Sequence, residues 1–137
     1  MVRGRYVYGL DSLDRPRRID GELRLNPQQR RSRSSQDAAG RPDRLATDEG
    51  GHYIARRFGG PTDLFNHFAQ DRNFNRGAYA SLEQHWSSAI KSGHRVRVHI
   101  TPFYVATSNR PEKITIIYFV DNRKRIQEFT NSPGGKK

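Results

Sequence analysis

The chain has 137 residues, with 25 Lys and Arg against 14 Asp and Glu, a net charge of +11 and a mean hydropathy of −0.96. This length suits a single domain, residues 1–137, with one modest core. The absence of cysteine excludes disulfide frameworks, thiolate zinc sites and cysteine nucleophiles. No apolar run approaches the roughly 18 residues of a membrane span, and the first residues lack the apolar core of a signal peptide. We therefore expect no membrane partner and no signal peptide in this chain.

The N-terminal part predicts two short strands followed by a polar segment. Residues 5–10 and 17–25 read as strands that pair across a turn at 11–16. Residues 26–47 are rich in Arg, Ser, Gln, Asp and Pro and contain few apolar residues. Such a composition predicts a polar loop, which is usually functional or mobile when it interrupts a small domain.

The middle of the chain combines glycine pairs with the clearest helix. Gly50-Gly51 and Gly59-Gly60 bracket the segment that begins at His52, and residues 63–70 fit a short strand or an irregular segment. A helix is predicted from near Asn75 to Gly93. Its apolar face consists of Tyr79, Leu82, Trp86, Ala89 and Ile90.

The C-terminal part predicts the rest of a sheet. Residues 95–100 alternate strictly, with valine and isoleucine facing the core and arginine and histidine facing out. Residues 113–120 and 126–129 predict two further strands, and 132–137 a flexible tail. The outline is an α+β domain, a mostly antiparallel sheet with one long helix packed on it.

Polar residues around this helix suggest chemistry. His52 is followed by Asn66, Gln70, Asn75 and Glu83 in a strongly basic chain. Metal-assisted cleavage of a phosphodiester requires a general base, a hard-cation ligand and positive charge for the substrate. A histidine with a pKa near 6.5 suits the first task, and an amide oxygen is a neutral hard donor suited to magnesium.

The order of these residues resembles a known family. The matching text is DEGGHYIARRFGGP at 48–61, then Asn66, Gln70, NRGAY at 75–79 and Leu82-Glu83. In these residues the chain resembles the DNA/RNA non-specific endonuclease family, whose active site is a ββα-metal finger. It is most similar to the branch found as C-terminal toxin domains of bacterial polymorphic toxins. The resemblance covers residues 21–131.

The resemblance implies a role for each residue. His52 would be the general base, and Asn75 the direct ligand of Mg²⁺, with Mn²⁺ as the alternative ion. Glu83 would act on the ion through water, as a metal-site and catalytic residue. Asn66 would be catalytic, positioning groups near the scissile phosphate. Gln70 would organise the substrate-binding side and hold the finger together.

The spacing of Asn75 and Glu83 in the predicted helix limits how they can share one metal ion. Glu83 lies eight residues after Asn75, about 12 Å of rise in a continuous helix, so sharing one metal-bound water would require a bend near Asn75. Asn75 could instead serve only as a helix cap.

Arg56, Arg57 and Arg76 are candidate phosphate clamps, since a guanidinium matches phosphate oxygens.

The sequence also departs from the better-known branch of the family, which has Asp-Arg-Gly-His at the base. Here Glu49 takes the place of the arginine and a second glycine is inserted. We expect Asp48 to brace this loop rather than to bind metal.

The resemblance therefore implies an Mg²⁺-dependent, sequence-non-specific endonuclease acting on DNA, with RNA as a further substrate. It implies an antibacterial toxin, a secreted or delivered effector that works in the cytoplasm of a target cell. An acidic immunity protein would neutralise it by covering the basic cleft.

Two alternatives stay open. A non-catalytic module could bind nucleic acid with the same arginines and stack bases on its aromatic side chains. A metal-independent ribonuclease toxin could use His52 and a second histidine as an acid/base pair. Among the other histidines, His67 is the least readily explained as a surface residue because it adjoins Asn66.

Overall fold

The computed structural model describes residues 1–26 and 33–135. Most strands form one antiparallel sheet in the order β1-β2-β3-β6-β7-β8, and β4 and β5 form a separate antiparallel pair. The strands are β1 (Val2–Arg3), β2 (Tyr6–Leu10), β3 (Pro16–Leu23), β4 (Asp48–His52), β5 (His67–Asp71), β6 (Val96–Tyr104), β7 (Pro111–Val120) and β8 (Arg123–Thr130). The predicted α+β architecture with a mostly antiparallel sheet is confirmed.

Alternating burial explains the six-stranded sheet. In β6, Val96, Val98 and Ile100 are fully buried, whereas Arg97 faces solvent. The buried residues of β7 pair with them across the ladder, and together they form the floor of the core. The predicted alternation of residues 95–100 is thus present in the fold.

One helical segment packs on this core. It consists of α2 (Arg72–Phe74), a π-helical turn (Asn75–Tyr79) and α3 (Ala80–Lys91), in unbroken succession. The segment begins at Arg72 because the Asp71 side chain caps it, accepting a hydrogen bond from the Phe74 backbone N–H at 3.0 Å. The interpretation of Asn75 as the helix cap is therefore wrong.

The predicted loop at 26–47 is partly a helix. Residues 33–38 form α1 (Arg33–Ala38), and Ala39 directly after it is fully buried. The α1 helix packs against β4, where a side chain at Gly50 would collide with the Gln36 backbone. Close approach of two backbones thus orders part of a segment whose composition predicts a loop. Residues 27–32 of that loop lie outside the described residues.

The predicted flexible tail packs as far as residue 135. Pro133–Gly135 form a 3₁₀ turn, and the Gly134 backbone N–H donates to the Asn73 side chain at 2.6 Å. Gly135 is buried against the rings of Phe74 and Phe129 with φ +70, a conformation that favours glycine. Residues 136–137 of the tail lie outside the described part of the chain.

We use "the finger" for β4, β5 and the helical segment 72–91. A buried ion pair fastens the finger to the large sheet: Arg110 Nε and a terminal nitrogen lie 2.7 and 3.0 Å from the two Asp48 oxygens. Asn131 adds a second fastening, since its amide donates to the Ala69 carbonyl and accepts from the Asp71 backbone N–H, both at 2.8 Å. Asp48 is therefore a brace, as the sequence predicts.

Candidate active site

His52 stands at the last residue of β4, half-exposed at the edge of the finger. Its cross-strand partner in the ladder is His67, and the two ring centroids lie 4.8 Å apart. His67 is buried, and its Nδ1 lies 2.9 Å from the Asp63 carbonyl oxygen. Burial lowers the pKa of His67, and the bond to Asp63 opposes that shift only in part. His67 therefore stays neutral more readily than an exposed histidine.

The chain directly after His52 is fixed by backbone contacts. The Tyr53 N–H donates to the Asn66 carbonyl at 2.9 Å, and the Tyr79 hydroxyl donates to the Tyr53 carbonyl at 2.7 Å. Tyr53 also stacks on Phe68 of β5, with ring centroids 4.3 Å apart. Contacts from a loop, a strand and the helix thus fix the strand end that carries His52.

The Asn66 side chain holds Ile54, the residue after Tyr53, and uses every hydrogen-bonding position of its amide. Its Oδ1 accepts from the Tyr8 hydroxyl at 2.7 Å and the Ile54 N–H at 3.0 Å. Its Nδ2 donates to the carbonyls of Ile54 and Pro61 at 2.9 and 3.1 Å. The side chain is fully buried. It braces the segment after His52, in contrast to the predicted catalytic place beside the scissile phosphate.

Glu49 joins β4 to the start of the helical segment. Its Oε1 accepts from Asn75 Nδ2 at 2.7 Å, and its two oxygens accept from Arg76 Nε at 3.2 Å and a terminal nitrogen at 2.9 Å. Burial alone would raise the pKa of Glu49, but the bonds from Arg76 and Asn75 outweigh it and lower that pKa. Glu49 is thus a stable anion beside the predicted metal ligand.

Glu83 faces the site because of the π turn. In a regular α-helix, eight residues span about 2.2 turns and would set Asn75 and Glu83 about 80° apart around the axis. The π turn takes up one extra residue, so Glu83 lies two turns along on nearly the same face. The π turn brings the two residues to one face but leaves about 11 Å of rise between them, so sharing of one metal-bound water by Asn75 and Glu83 stays a prediction. Burial raises the pKa of Glu83 to about 7, and the nearby Arg57 guanidinium partly offsets it.

Gln70 lies opposite Glu49 in the β4–β5 ladder. It is fully buried, and within the described residues neither its Oε1 nor its Nε2 has a hydrogen-bond partner. A side chain at Gly51 would collide with it, so the glycine makes room for this amide. A buried polar group without a partner requires an explanation such as a water molecule or an ion. The predicted direct contact of Gln70 with substrate stays a prediction.

The three candidate arginines occupy different positions. Arg57 is half-buried beside Glu83, and one of its terminal nitrogens lies 3.3 Å from Gln84 Oε1. Arg76 is 69% exposed, although Glu49 engages two of its nitrogens. Arg56 is exposed on the loop after His52. The arginines border the site at the helix and at this loop, and their contact with phosphate stays a prediction.

The side chains of this site suit a hard cation that keeps several waters better than a metal held by a cluster of charged side chains. Among the described residues, no group of three or more His, Asp or Glu side chains is arranged to hold an ion. The finger instead carries the amide of Asn75, the carboxyl of Glu83 and the buried amide of Gln70, which has no hydrogen-bond partner in the described part of the chain. Magnesium binds through one or two protein oxygens and keeps several waters, so this set fits Mg²⁺.

Comparison with known proteins agrees with this geometry. The family model described as DNA/RNA non-specific endonuclease matches residues 1–122. The chain belongs to this endonuclease family. Among curated relatives, the type VII secretion system protein EssD of Staphylococcus aureus strain USA300 is 34% identical over 107 residues, covering 74% of the chain and 17% of EssD. The EssD of strain NCTC 8325 matches with the same values. The chain thus spans under a fifth of the length of these relatives.

Solved nucleases share the fold of this endonuclease-family chain. NucA from Streptococcus agalactiae with a magnesium ion bound has a TM-score of 0.69 at 18% identity, covering 98% of this chain and 73% of NucA. The same NucA with no metal bound has a TM-score of 0.62 at 17% identity, covering 96% and 72%. An extracellular nuclease reaches 0.58 at 16% identity, covering 94% and 85%.

Two residues of the site were not assigned from the sequence. The sequence marks Glu49 only as a departure from the family pattern, because its contact with Asn75 spans 26 residues of chain. It marks His67 only by its neighbour Asn66, because its pairing with His52 depends on strand register. Strand register across a long connection is not visible in local sequence patterns, so only a correct pairing of residues 48–52 with 67–71 could have indicated the contact of His52 with His67. The contact of Glu49 with Asn75 also requires the helical segment to lie against β4.

Proposed function

We propose that this chain is a Mg²⁺-dependent, sequence-non-specific endonuclease with His52 as general base and Asn75 as metal ligand. One observation carries the proposal: a single five-residue strand, β4, holds His52 at its end and, through Glu49, the amide of Asn75. Glu49 and His52 are separated by about 10 Å along the strand. Base and ligand are thus held by one rigid element.

In the proposed reaction, His52 takes a proton from the water that attacks phosphorus, a task that needs the neutral imidazole. A bound Mg²⁺ would polarise the phosphate and stabilise charge on the leaving 3′ oxygen. Arg56 and Arg57 bind neighbouring phosphate oxygens and orient the strand. The products carry 5′-phosphate and 3′-hydroxyl ends.

We propose DNA as substrate, with RNA as a further one. The net charge of +11 favours contact with backbone phosphates, which are common to all sequences. Binding should therefore weaken steeply as salt rises, because each neutralised phosphate releases a counterion. Comparing KM between two unrelated DNA sequences at fixed salt tests the absence of base preference.

We also propose that the chain is the nuclease part of a longer delivered toxin acting in the cytoplasm of a target cell. Similarity to a type VII secretion system protein over 17% of that protein's length supports this placement. No helix among the described residues is long and apolar enough to cross a membrane. An acidic immunity protein is the proposed partner, since it would match the basic surface. Toxicity of the chain expressed inside bacteria, relieved by His52→Ala, would support the toxin role.

The test of the nuclease activity uses plasmid DNA and total RNA with purified protein, in Mg²⁺, in Mn²⁺ and in EDTA. We expect degradation in either ion, loss of cleavage in EDTA, and losses of at least a hundredfold in His52→Ala and Asn75→Ala. Thermal melting of both variants confirms that they fold. Binding of DNA without any cleavage would overturn the proposal in favour of a non-catalytic module.

The contact between His52 and His67 favours one second candidate, a metal-independent ribonuclease. Of two imidazoles 4.8 Å apart, one can take the proton of the RNA 2′ hydroxyl as its oxygen attacks phosphorus, and the other can protonate the leaving 5′ oxygen. This candidate predicts RNA cleavage in EDTA, cyclic phosphate ends, and loss of activity in His67→Ala with retention in Asn75→Ala. Product ends therefore separate the two candidates directly.

A further inference from the structure

The contact between Glu49 and Asn75 links a charged side chain to the predicted metal ligand. Asn75 Nδ2 lies 2.7 Å from Glu49 Oε1, a short distance for a nitrogen donor and typical of a charge-assisted bond. Glu49 is three-quarters buried, with 24% of its side chain exposed. The bond is therefore shielded from competing water on most sides.

An asparagine amide has two orientations that differ by half a turn and look alike in shape. A carboxylate can only accept hydrogen bonds, so it pairs with the NH₂ group and repels the amide oxygen. With Nδ2 held by Glu49, Oδ1 of Asn75 must point away from β4. That orientation presents the one atom of the amide that can bind a hard cation.

The neighbours of Glu49 make this selection firm. Arg76, the residue after Asn75, donates two nitrogens to the same carboxylate at 3.2 and 2.9 Å. Gln70 lies directly across the ladder, yet neither of its polar atoms has a partner among the described residues. Glu49 is therefore committed to the helical segment rather than to its strand neighbour.

We propose that Glu49 is a positioning residue that locks the Asn75 amide with its oxygen turned toward the cation. This inference rests on the proposed function, because it assigns Asn75 as the metal ligand. Glu49 would act on a bound ion only through Asn75, whose Nδ2 it holds. Groups that orient a metal ligand typically contribute ten- to a hundredfold in affinity.

The test measures Mn²⁺ and Mg²⁺ affinity by titration calorimetry in the absence of nucleic acid. We expect Glu49→Gln to weaken Mn²⁺ binding by roughly ten- to a hundredfold. Glutamine keeps the size of Glu49 but can also donate to the Asn75 oxygen, so both amide orientations become acceptable. Glu22→Gln is the matched control, because Glu22 is a carboxylate of similar exposure, paired with an arginine, Arg95, on the large sheet. Affinity unchanged in Glu49→Gln would overturn the proposal.

A second pair of variants separates orientation from direct ligation. Asn75→Ala removes the amide, so Glu49 has nothing left to orient. In that background, Glu49→Gln should change Mn²⁺ affinity by no more than about threefold, a non-additive result for residues that act as one unit. If Glu49 instead bound the ion itself, its replacement would cost ten- to a hundredfold in both backgrounds, and the proposal would fail.

A third readout needs neither a cation nor a substitution at Asn75. The side-chain NH₂ of Asn75 should exchange slowly with solvent in NMR spectra of the parent protein and about tenfold faster in Glu49→Gln. Equal exchange rates in the parent protein and in Glu49→Gln would contradict the proposal that Glu49 orients the Asn75 amide.

Failure of the inference and of the proposed function remain distinguishable. A parent protein that cleaves DNA and binds Mn²⁺ while Glu49→Gln matches it would reject only the inference. A parent protein that neither binds Mn²⁺ nor cleaves in it would reject both.

Discussion

The large sheet and the finger are held together by different forces. The sheet is built on apolar side chains that alternate along β6 and β7 and are completely buried. The finger and the connection 53–66 between its two strands depend in addition on buried polar contacts, chiefly the four hydrogen bonds of Asn66 and the ion pair of Asp48 with Arg110. Apolar burial tolerates small shifts, whereas hydrogen bonds require fixed geometry. The region with the stricter geometry is the one that carries the candidate active site.

The largest difference between the two regions should appear in activity. We expect His52→Ala to lower the cleavage rate by about 10²–10⁴, the usual contribution of a general base. The matched control is His99→Ala, which removes a half-exposed histidine of the large sheet bound to Asp20 at 2.7 Å. Initial rates on plasmid DNA measure both. A similar loss in the control would show that the activity is not confined to the finger.

The next effect concerns the ion pair that fastens the finger to the sheet. Arg110→Met should lower the free energy of unfolding by about 3–5 kcal/mol, because Asp48 is left charged and buried without its partner. Glu128→Gln breaks the exposed pair with Lys113 and should cost about 0–1 kcal/mol. Chemical denaturation compares them. Equal losses of unfolding free energy in the two variants would mean that burial of the Asp48–Arg110 pair adds nothing to its contribution.

Truncating one buried side chain in each region should have a somewhat smaller effect on the free energy of unfolding. Asn66→Ala leaves buried backbone groups without partners and should cost about 3 kcal/mol, with a parallel loss of activity as the segment after His52 loosens. Ile116→Val in the core of the sheet should cost about 1 kcal/mol and leave activity unchanged. If Asn66→Ala loses activity but keeps full stability, the result would instead support the prediction that Asn66 is a catalytic residue.

The last comparison between the two regions concerns opposite responses to pH. Burial raises the pKa of Glu83 to about 7 in the folded finger, so the folded state holds its proton more tightly and stability falls as pH rises from about 4.5 to about 7. At Asp11, beside the sheet, burial is outweighed by hydrogen bonds from Arg15, Arg17 and Leu13, and the pKa falls to about 2. The stability from Asp11 is present above about 3.8 and is lost as pH falls toward 2.

Unfolding measured across pH in EDTA tests both responses. Glu83→Gln should flatten the profile between pH 4.5 and 7, and Asp11→Asn should flatten it below pH 4. A profile between pH 4.5 and 7 that Glu83→Gln leaves unchanged would contradict the burial of the Glu83 carboxyl.

Local patterns in the sequence predicted most elements of the fold. The alternation at 95–100 and the apolar face of Leu82 and Trp86 depend only on strand and helix periodicity, so they are readable without the rest of the chain. Composition was less informative. It predicted a loop where α1 forms and a free tail where Gly135 packs, because both segments are ordered by distant partners.

The sequence by itself determined the kinds of chemical group available, namely a histidine after paired glycines, several amides and one acid on a helix. The tertiary structure decided which of them act together. It buried Asn66 as a brace, set His67 against His52, and placed Glu49 on the Asn75 amide. The physical reason is that hydrogen bonds and ring contacts act over a few ångströms, whereas these partners are separated by 15 to 58 residues of chain.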